Sequence, residues 1–327
     1  MKRGLWVLVV LFALVPLLTG CGGGGPVHND GTYGLFKKHI EVDGAMRRYA
    51  LYIPRSLGSR KVPLLFSLHG GGIYIEDMTG ESGHKTPFKL WMTLAEREGF
   101  IVVYPEGLNG SYGKPTWNDC RGDATVSSRA DDVKFIERII TQVSSAYPVD
   151  RTRIYASGIS NGGFMALRLG VERPNIFAAV SAIAAAMPAV SECAPPTEPI
   201  AVLFMNGTAD NHMPYNGGTL SNPPKASHGT VRSTEASVEI FLKLNGASSA
   251  AQKTVFPDLD PNDGGVVERF IHPGGKEVRL YKVNGGGHAA PSIKERYSAL
   301  FERYFGKQNH DIEMVEEVWG FFKNQHR

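Results

Sequence analysis

Gly158-Ile159-Ser160-Asn161-Gly162 is the stretch whose residue types and spacing suit covalent catalysis. An apolar run, residues 153–157, precedes it and reads as a buried strand, and residues 163–169 after it read as a helix. A serine on so sharp a strand-to-helix turn is lifted clear of the sheet. Side chains two positions before and after it would clash, and both positions are glycine. A serine hydroxyl is a poor nucleophile at neutral pH. It needs a base within hydrogen-bond reach, and the base needs a carboxylate to fix its tautomer and stabilise its charged form. In sheets of alternating strands and helices, active groups sit at the carboxyl ends of strands. Asp210 follows the apolar run Ile200–Met205, and His288 follows Val278–Val283. The sequence therefore offers Ser160, Asp210 and His288, in that order, for acyl transfer through a covalent acyl-serine.

The rival residues are less well placed. His272 lies in a Pro-Gly-Gly turn, His310 and His326 in the C-terminal tail, and His212 close to Asp210 in sequence. Asp258, Asp260, Asp263 and Glu235 lie in loop or helix segments rather than at a core strand end. Acyl transfer also builds negative charge on a carbonyl oxygen, which two fixed backbone N–H groups can hold. His69-Gly70-Gly71-Gly72 ends a strand and lets the backbone approach closely. Gly71 is assigned one donor, with Gly72 as its rival, and Asn161 the other. Trp117 and Tyr215 are candidates for the substrate pocket; a packed loop tryptophan is the alternative for Trp117.

The elements that must position these groups alternate along the chain. Residues 36–42 and 46–53 read as strands joined by an Asp43-Gly44 hairpin turn. Residues 62–68, 100–104, 153–157, 178–187, 200–205 and 278–283 read as further strands, and residues 251–276 as carrying a short extra hairpin. Helical patterns cover 88–98, ended by Gly99, a helix capped by Ser128 with Asp131 and Asp132 in its first turn, 163 onward, 232–244, 292–305 and 311–323. Ser292-x-x-Glu295 reads as a capping box. Residues 105–128 form a long loop holding Trp117 and Cys120. This alternation predicts an α/β fold, a mostly parallel central sheet with helices on both faces, in one domain over residues 36–327.

The chain of 327 residues is 42% hydrophobic and 20% charged, as globular domains are. Removing Lys2 and Arg3 from the 35 basic residues leaves 33 against 32 acidic ones, a balance of +1, and no basic stripe suggests a nucleic-acid partner. Lys2-Arg3 and the apolar residues 5–18 read as a signal peptide, too short to span a bilayer comfortably. Leu18-Thr19-Gly20-Cys21 resembles the lipobox of bacterial lipoproteins. That resemblance implies removal of residues 1–20, lipidation of Cys21 and a tether over residues 21–35; an ordinary secretory signal is the alternative. It makes the membrane a partner through a lipid anchor, and Gly22 after the cysteine favours the outer membrane in a Gram-negative host. Cys120 and Cys193 remain; a disulfide is the economical pairing in an oxidising compartment, and two buried thiols the alternative. No His-Glu-x-x-His stretch or structural zinc set is present, and no cofactor is expected.

Taken together, His69-Gly70-Gly71-Gly72, Thr116-Trp117-Asn118-Asp119-Cys120, Asp131-Asp132-Val133, Gly158–Gly163, Gly207-Thr208-Ala209-Asp210 with Pro214-Tyr215, and Gly286-Gly287-His288 resemble the polyhydroxybutyrate depolymerase/feruloyl esterase-like group of secreted α/β-hydrolases. The resemblance spans about residues 45–325 and implies a carboxylic-ester hydrolase with Ser160, Asp210 and His288 as its triad. Two departures lie near the site: Ala289-Ala290-Pro291 follows the histidine where many members carry tryptophan and proline, and residues 292–309 look like an added helix. Feruloyl or acetyl esters of polysaccharide fragments and polyhydroxyalkanoate oligomers are the expected substrates. A prolyl oligopeptidase-like peptidase and a silent glycan-binding lipoprotein are the alternatives.

Overall fold

A computed structural model describes residues 33–220 and 227–327. The signal-like segment, Cys21 and nearly all of the tether lie outside the described residues. The chain forms strands β1 (Gly34–Val42), β2 (Ala45–Ile53), β3 (Val62–Leu68), β4 (Ile101–Pro105), β5 (Val149–Ile159) and β6 (Ala179–Ile183). It continues with β7 (Ala201–Gly207), β8 (Gly218–Thr219), β9 (Thr230–Val231), β10 (Gln252–Val255), β11 (Val266–His272) and β12 (Val278–Asn284). The helices are α1 (Ile75–Thr79), α2 (Leu90–Glu98), α3 (Asp132–Ala146), α4 (Asn161–Glu172), α5 (Thr234–Asn245), α6 (Ala299–Phe305) and α7 (Met314–Phe322).

Ten strands form one sheet in the order β1-β2-β4-β3-β5-β6-β7-β12-β11-β10. The six from β4 to β12 run parallel, and antiparallel pairs close both edges. The central strands are near-continuous apolar runs because both faces are covered, as parallel sheets require. Leu64, Phe66, Ala156, Val202 and Phe204 share one buried cluster with residues of α3, α4 and α5. Leu65, Tyr155, Leu203 and Met205 share the other with residues of α2 and α7, including Trp91, Trp319 and Phe322. The chain moves from β3 outward to β4 and then returns to place β5 on the other side of β3. The direction in which strands are added to the sheet reverses between β3 and β5, so a crevice opens beyond their carboxyl ends, where sheets of this kind hold ligands.

Several sequence expectations are corrected. The hairpin starts at Gly34, two residues inside the expected tether. Asp131, not Ser128, caps α3, its carboxylate accepting the Lys134 N–H at 2.9 Å, while the Ser128 hydroxyl accepts the Ala130 N–H. Asp132 is more than a helix-start charge: it is fully buried and meets Arg47 of β2 at 2.6 Å. The expected strand 178–187 is only Ala179–Ile183. The expected helix 292–305 begins at Ala299, with Ser298 as its cap. Ser292 accepts the Glu295 N–H at 3.0 Å, half of the expected box, but also donates to Glu313 at 2.7 Å. Gln308 takes the Tyr297 N–H and donates to the Ala290 and Glu295 carbonyls, giving this backbone side-chain partners in place of helical ones.

The Arg47–Asp132 pair joins β2 to α3, and the second oxygen of Asp132 accepts the Asn118 N–H at 2.7 Å. Removing one member of a buried ion pair leaves the other charge uncompensated. Asp132→Ala is expected to cost about 3–5 kcal/mol of stability, read as a lower denaturation midpoint in urea; a loss under about 1 kcal/mol would mean that Arg47 finds another partner.

Candidate active site

β5 runs into α4 through Ser160 alone. Its backbone has a positive φ, 54° with ψ −123°, where a residue with a Cβ is strained. The Ser160 N–H donates to the Ile183 carbonyl at the end of β6, and its carbonyl accepts from Phe164 in α4. The flanking glycines have a steric cause. A Cβ at Gly158 would lie 2.2 Å from the Gly162 carbonyl oxygen, and one at Gly162 would lie 2.4 Å from that of Leu68. The turn is thus pressed against itself and against the end of β3.

Asp210 and His288 follow the neighbouring strands β7 and β12. The Asp210 carboxylate has no exposure, accepts the His288 Nδ1–H at 2.7 Å on Oδ2, and accepts the His212 and Met213 N–H groups at 2.8 Å on Oδ1. These three donors hold the carboxylate and leave Nε2 of His288 as the unprotonated nitrogen of the neutral ring. The His288 N–H donates to the carbonyl of Phe305, the last residue of α6. Ser160 and His288 line one cavity of about 410 Å³, and no hydrogen bond joins them in this structure. Catalytic contacts of this kind often tighten only when substrate is bound. None of the rivals His272, His310, Asp260 and Asp263 lines this cavity. Asp260 pairs with Arg296, and Asp263 accepts the His310 N–H.

The third component is the loop after β3. His69 is buried, and its ring is engaged at both nitrogens: Nδ1–H donates to the Gly70 carbonyl at 2.8 Å and Nε2 accepts the Gly107 N–H at 2.9 Å. Burial pulls its pKa down to about 4, so the ring is neutral near pH 7. Trp117 packs on that ring at 4.6 Å between centroids and donates its indole N–H to the His69 carbonyl at 2.9 Å. The same residue grips the far side of the site: its N–H donates to Asn161 Oδ1 at 2.7 Å, and its carbonyl accepts from Asn161 Nδ2 at 3.1 Å. Trp117 has no exposure and does not line the cavity, so it is a support beneath the loop, not a pocket wall. Tyr215 is also buried away from the cavity, its ring facing Lys282, and is no pocket wall either. Gly72 N–H donates to the Pro115 carbonyl at 2.8 Å, whereas the Gly71 N–H has no hydrogen-bond partner among the described residues. Both glycines and Asn161 line the cavity with Ser160.

Asp119 accepts from Asn161 Nδ2 and pairs with buried Arg121 at 2.6 Å. Cys120 and Cys193 form a disulfide, Cα–Cα 5.3 Å, that ties this segment to the loop after β6. The cysteine sulfurs and Glu172 form a compact donor group, yet a disulfide offers no thiolate to a metal. Sequence reasoning passed over Lys114, Arg121, His212, His228 and Phe305, all of which line the cavity. His212, set aside as too near Asp210, packs its ring 5.3 Å from His288 and 4.9 Å from Phe305, and its Nε2–H donates to the Tyr304 carbonyl at 2.9 Å. No spacing signal marks these residues, since loops distant in sequence bring them together.

A family model described as esterase PHB depolymerase matches residues 47–194. Feruloyl esterase C of Emericella nidulans is 32% identical over 226 residues, covering 66% of this chain and 76% of that enzyme. Feruloyl esterase B of Piromyces equi is 32% identical over 244 residues, 71% of this chain and 40% of that longer enzyme. Among solved structures, the acetyl xylan esterase from Aspergillus awamori shares the fold, with a TM-score of 0.54 over 89% of this chain and 99% of that one at 16% identity.

The buried, neutral His69 makes stability depend on pH. Its folded pKa of about 4 lies below its ordinary value of 6.5. Between those values the unfolded chain binds more protons than the folded one. The contribution is therefore complete above about pH 6.5 and lost as pH falls, by about 1.4 kcal/mol per unit. Denaturant titrations of wild type and His69→Asn at about pH 7, 5.5 and 4.5 are expected to show the gap between them narrowing with acidity. A gap that stays constant would remove His69 as the source.

Proposed function

The chain belongs to the polyhydroxybutyrate depolymerase/feruloyl esterase-like family of α/β-hydrolases and is a carboxylic-ester hydrolase, and on that premise we propose that it works through Ser160, His288 and Asp210. The observation that carries this reading is the 2.7 Å contact of the His288 Nδ1–H with the buried Asp210 carboxylate, on a ring that shares its cavity with Ser160. His288 Nε2 takes the Ser160 proton as Oγ attacks the ester carbonyl, and Asp210 stabilises the imidazolium that forms. The Gly71 and Asn161 N–H groups receive the oxyanion. The engagement of Gly72 N–H with Pro115 favours Gly71 over Gly72, and each such donor lowers the barrier by about 3–4 kcal/mol. The imidazolium then returns its proton to the leaving alcohol, and water enters by the same base to release the acid.

The substrates proposed are feruloyl or acetyl esters of polysaccharide fragments and polyhydroxyalkanoate oligomers. The names of the relatives, a feruloyl esterase, an acetyl xylan esterase and a polyhydroxybutyrate depolymerase family, support these classes. Export as a lipoprotein anchored through Cys21 is part of the same proposal. It is supported by the lipobox-like Leu18–Cys21 and by a disulfide of the sort kept in oxidising compartments.

Ser160→Ala is expected to lower kcat on p-nitrophenyl acetate by about 10⁴-fold or more, and Asp210→Asn by about 10⁴-fold, with unchanged circular dichroism. A Ser160→Ala variant as active as wild type would end the serine mechanism, and a wild type without turnover on this ester would leave a binding protein as the alternative. Cys21→Ser is expected to move the protein from the membrane fraction to the soluble one; continued sedimentation with membranes would exclude Cys21 as the anchor.

A further inference from the structure

The nitrogen-bearing chargeable groups that line the Ser160 cavity are Lys114, Arg121, His212, His228 and His288, and no aspartate or glutamate lines it among the described residues. Arg121 is 5% exposed and lies over the Phe164 ring at 4.3 Å. A guanidinium has five N–H donors. Three of those on Arg121 are engaged, two by Asp119 and one by the His228 carbonyl. The others have no protein partner among the described residues. Asp119 offsets the Arg121 charge. Burial, with Arg121 and His212 nearby, lowers the pKa of His228, which is neutral near pH 7.

Lys114 differs from these groups. It is exposed at the cavity wall, and its ammonium lies 5.4 Å from the Tyr74 ring with no carboxylate in ion-pair reach among the described residues. Its backbone is not loose. The Lys114 carbonyl accepts the Gly110 N–H, and the next carbonyl, of Pro115, accepts the Gly72 N–H. Its backbone is thus fixed beside the glycine loop, and its uncompensated positive charge belongs to a residue that lines the same cavity as Ser160.

We propose that the cavity receives esters that also carry a carboxylate, held by the Lys114 ammonium over the open N–H donors of Arg121. This rests on the esterase reading above and narrows it. A hydroxyalkanoate oligomer ends in a free carboxylate, whereas a feruloyl or acetyl group on a neutral sugar brings none. A charged partner adds both attraction and a directional hydrogen bond, and discriminates against a neutral analogue that leaves the ammonium unpaired.

The test uses the full chain with the 3-hydroxybutyrate dimer and its terminal carboxamide, which share the scissile ester and differ in charge. Wild-type kcat/KM is expected to favour the acid by about tenfold. Lys114→Gln brings the ratio near unity, Lys114→Glu inverts it, Lys114→Arg keeps it, and about 0.5 M NaCl erodes it. Calorimetric titration of Ser160→Ala with the same two ligands reads the preference without turnover. Equal binding of acid and carboxamide, or a ratio that survives both Lys114→Gln and Lys114→Glu, would overturn the carboxylate site. Absence of wild-type turnover on both p-nitrophenyl acetate and the dimer would instead count against the esterase reading and leave the titration to judge the carboxylate site.

Discussion

One buried segment, Trp117 to Arg121, sets the distance between the two halves of the site. Its indole N–H holds the His69 carbonyl, and its backbone holds both ends of the Asn161 amide. The backbone N–H groups of Gly71 and Asn161 belong to different strands' ends, and a shared oxyanion would need both at once. Hydrogen bonds fall off steeply with distance and angle, so a small drift between the two loops would lose one donor. The segment is itself anchored on three sides, by Asp132 to Asn118, by Arg168 to the Asn118 carbonyl and by the disulfide at Cys120. The long loop of residues 106–131 is therefore built as a brace.

The sheet supplies what the brace acts on. Parallel strands β3, β5, β7 and β12 all end on one side, so the glycine loop, Ser160, Asp210 and His288 emerge together although they are far apart in sequence. The strained serine backbone persists because its neighbours leave no room to relax: the turn contacts β3, β6 and its own helix. Asp210 is held by two backbone N–H groups as well as by His288, so its carboxylate is fixed in place from two sides. The segment after His288, ending in α6, covers the ring with Phe305 and ties His212 to the Tyr304 carbonyl. It supplies Phe305 to one wall of the cavity.

Much of the architecture was legible because it depends on local patterns. The Asp43-Gly44 hairpin, the buried strands, the helix ended by Gly99 and the extra hairpin all rest on periodicity or turn chemistry that neighbouring residues set. The failures share a cause. Ser128 and Ser292 have the right type for helix caps, yet Asp131 takes the first role, and Gln308 supplies side-chain partners to the backbone after the second. Trp117 and Tyr215 are pocket candidates by sequence, with a packed loop tryptophan as the alternative at 117; both are drawn into buried contacts, so for Trp117 the alternative holds.

The linear sequence determined the chemical groups and their order: a serine between glycines, an acid and a histidine at strand ends, and a glycine run to approach a carbonyl. Those follow from residue type and from the strand-helix alternation, which are local properties. Only the tertiary structure decided which amide stays open, Gly71 rather than Gly72, since that depends on Pro115, 43 residues away in the chain. It alone placed Lys114, Arg121, His212 and Phe305 around the serine. The reason is physical: hydrogen-bond partnership and charge compensation are set by distances between loops, and no local pattern encodes the distance between residues that meet only when the chain has folded.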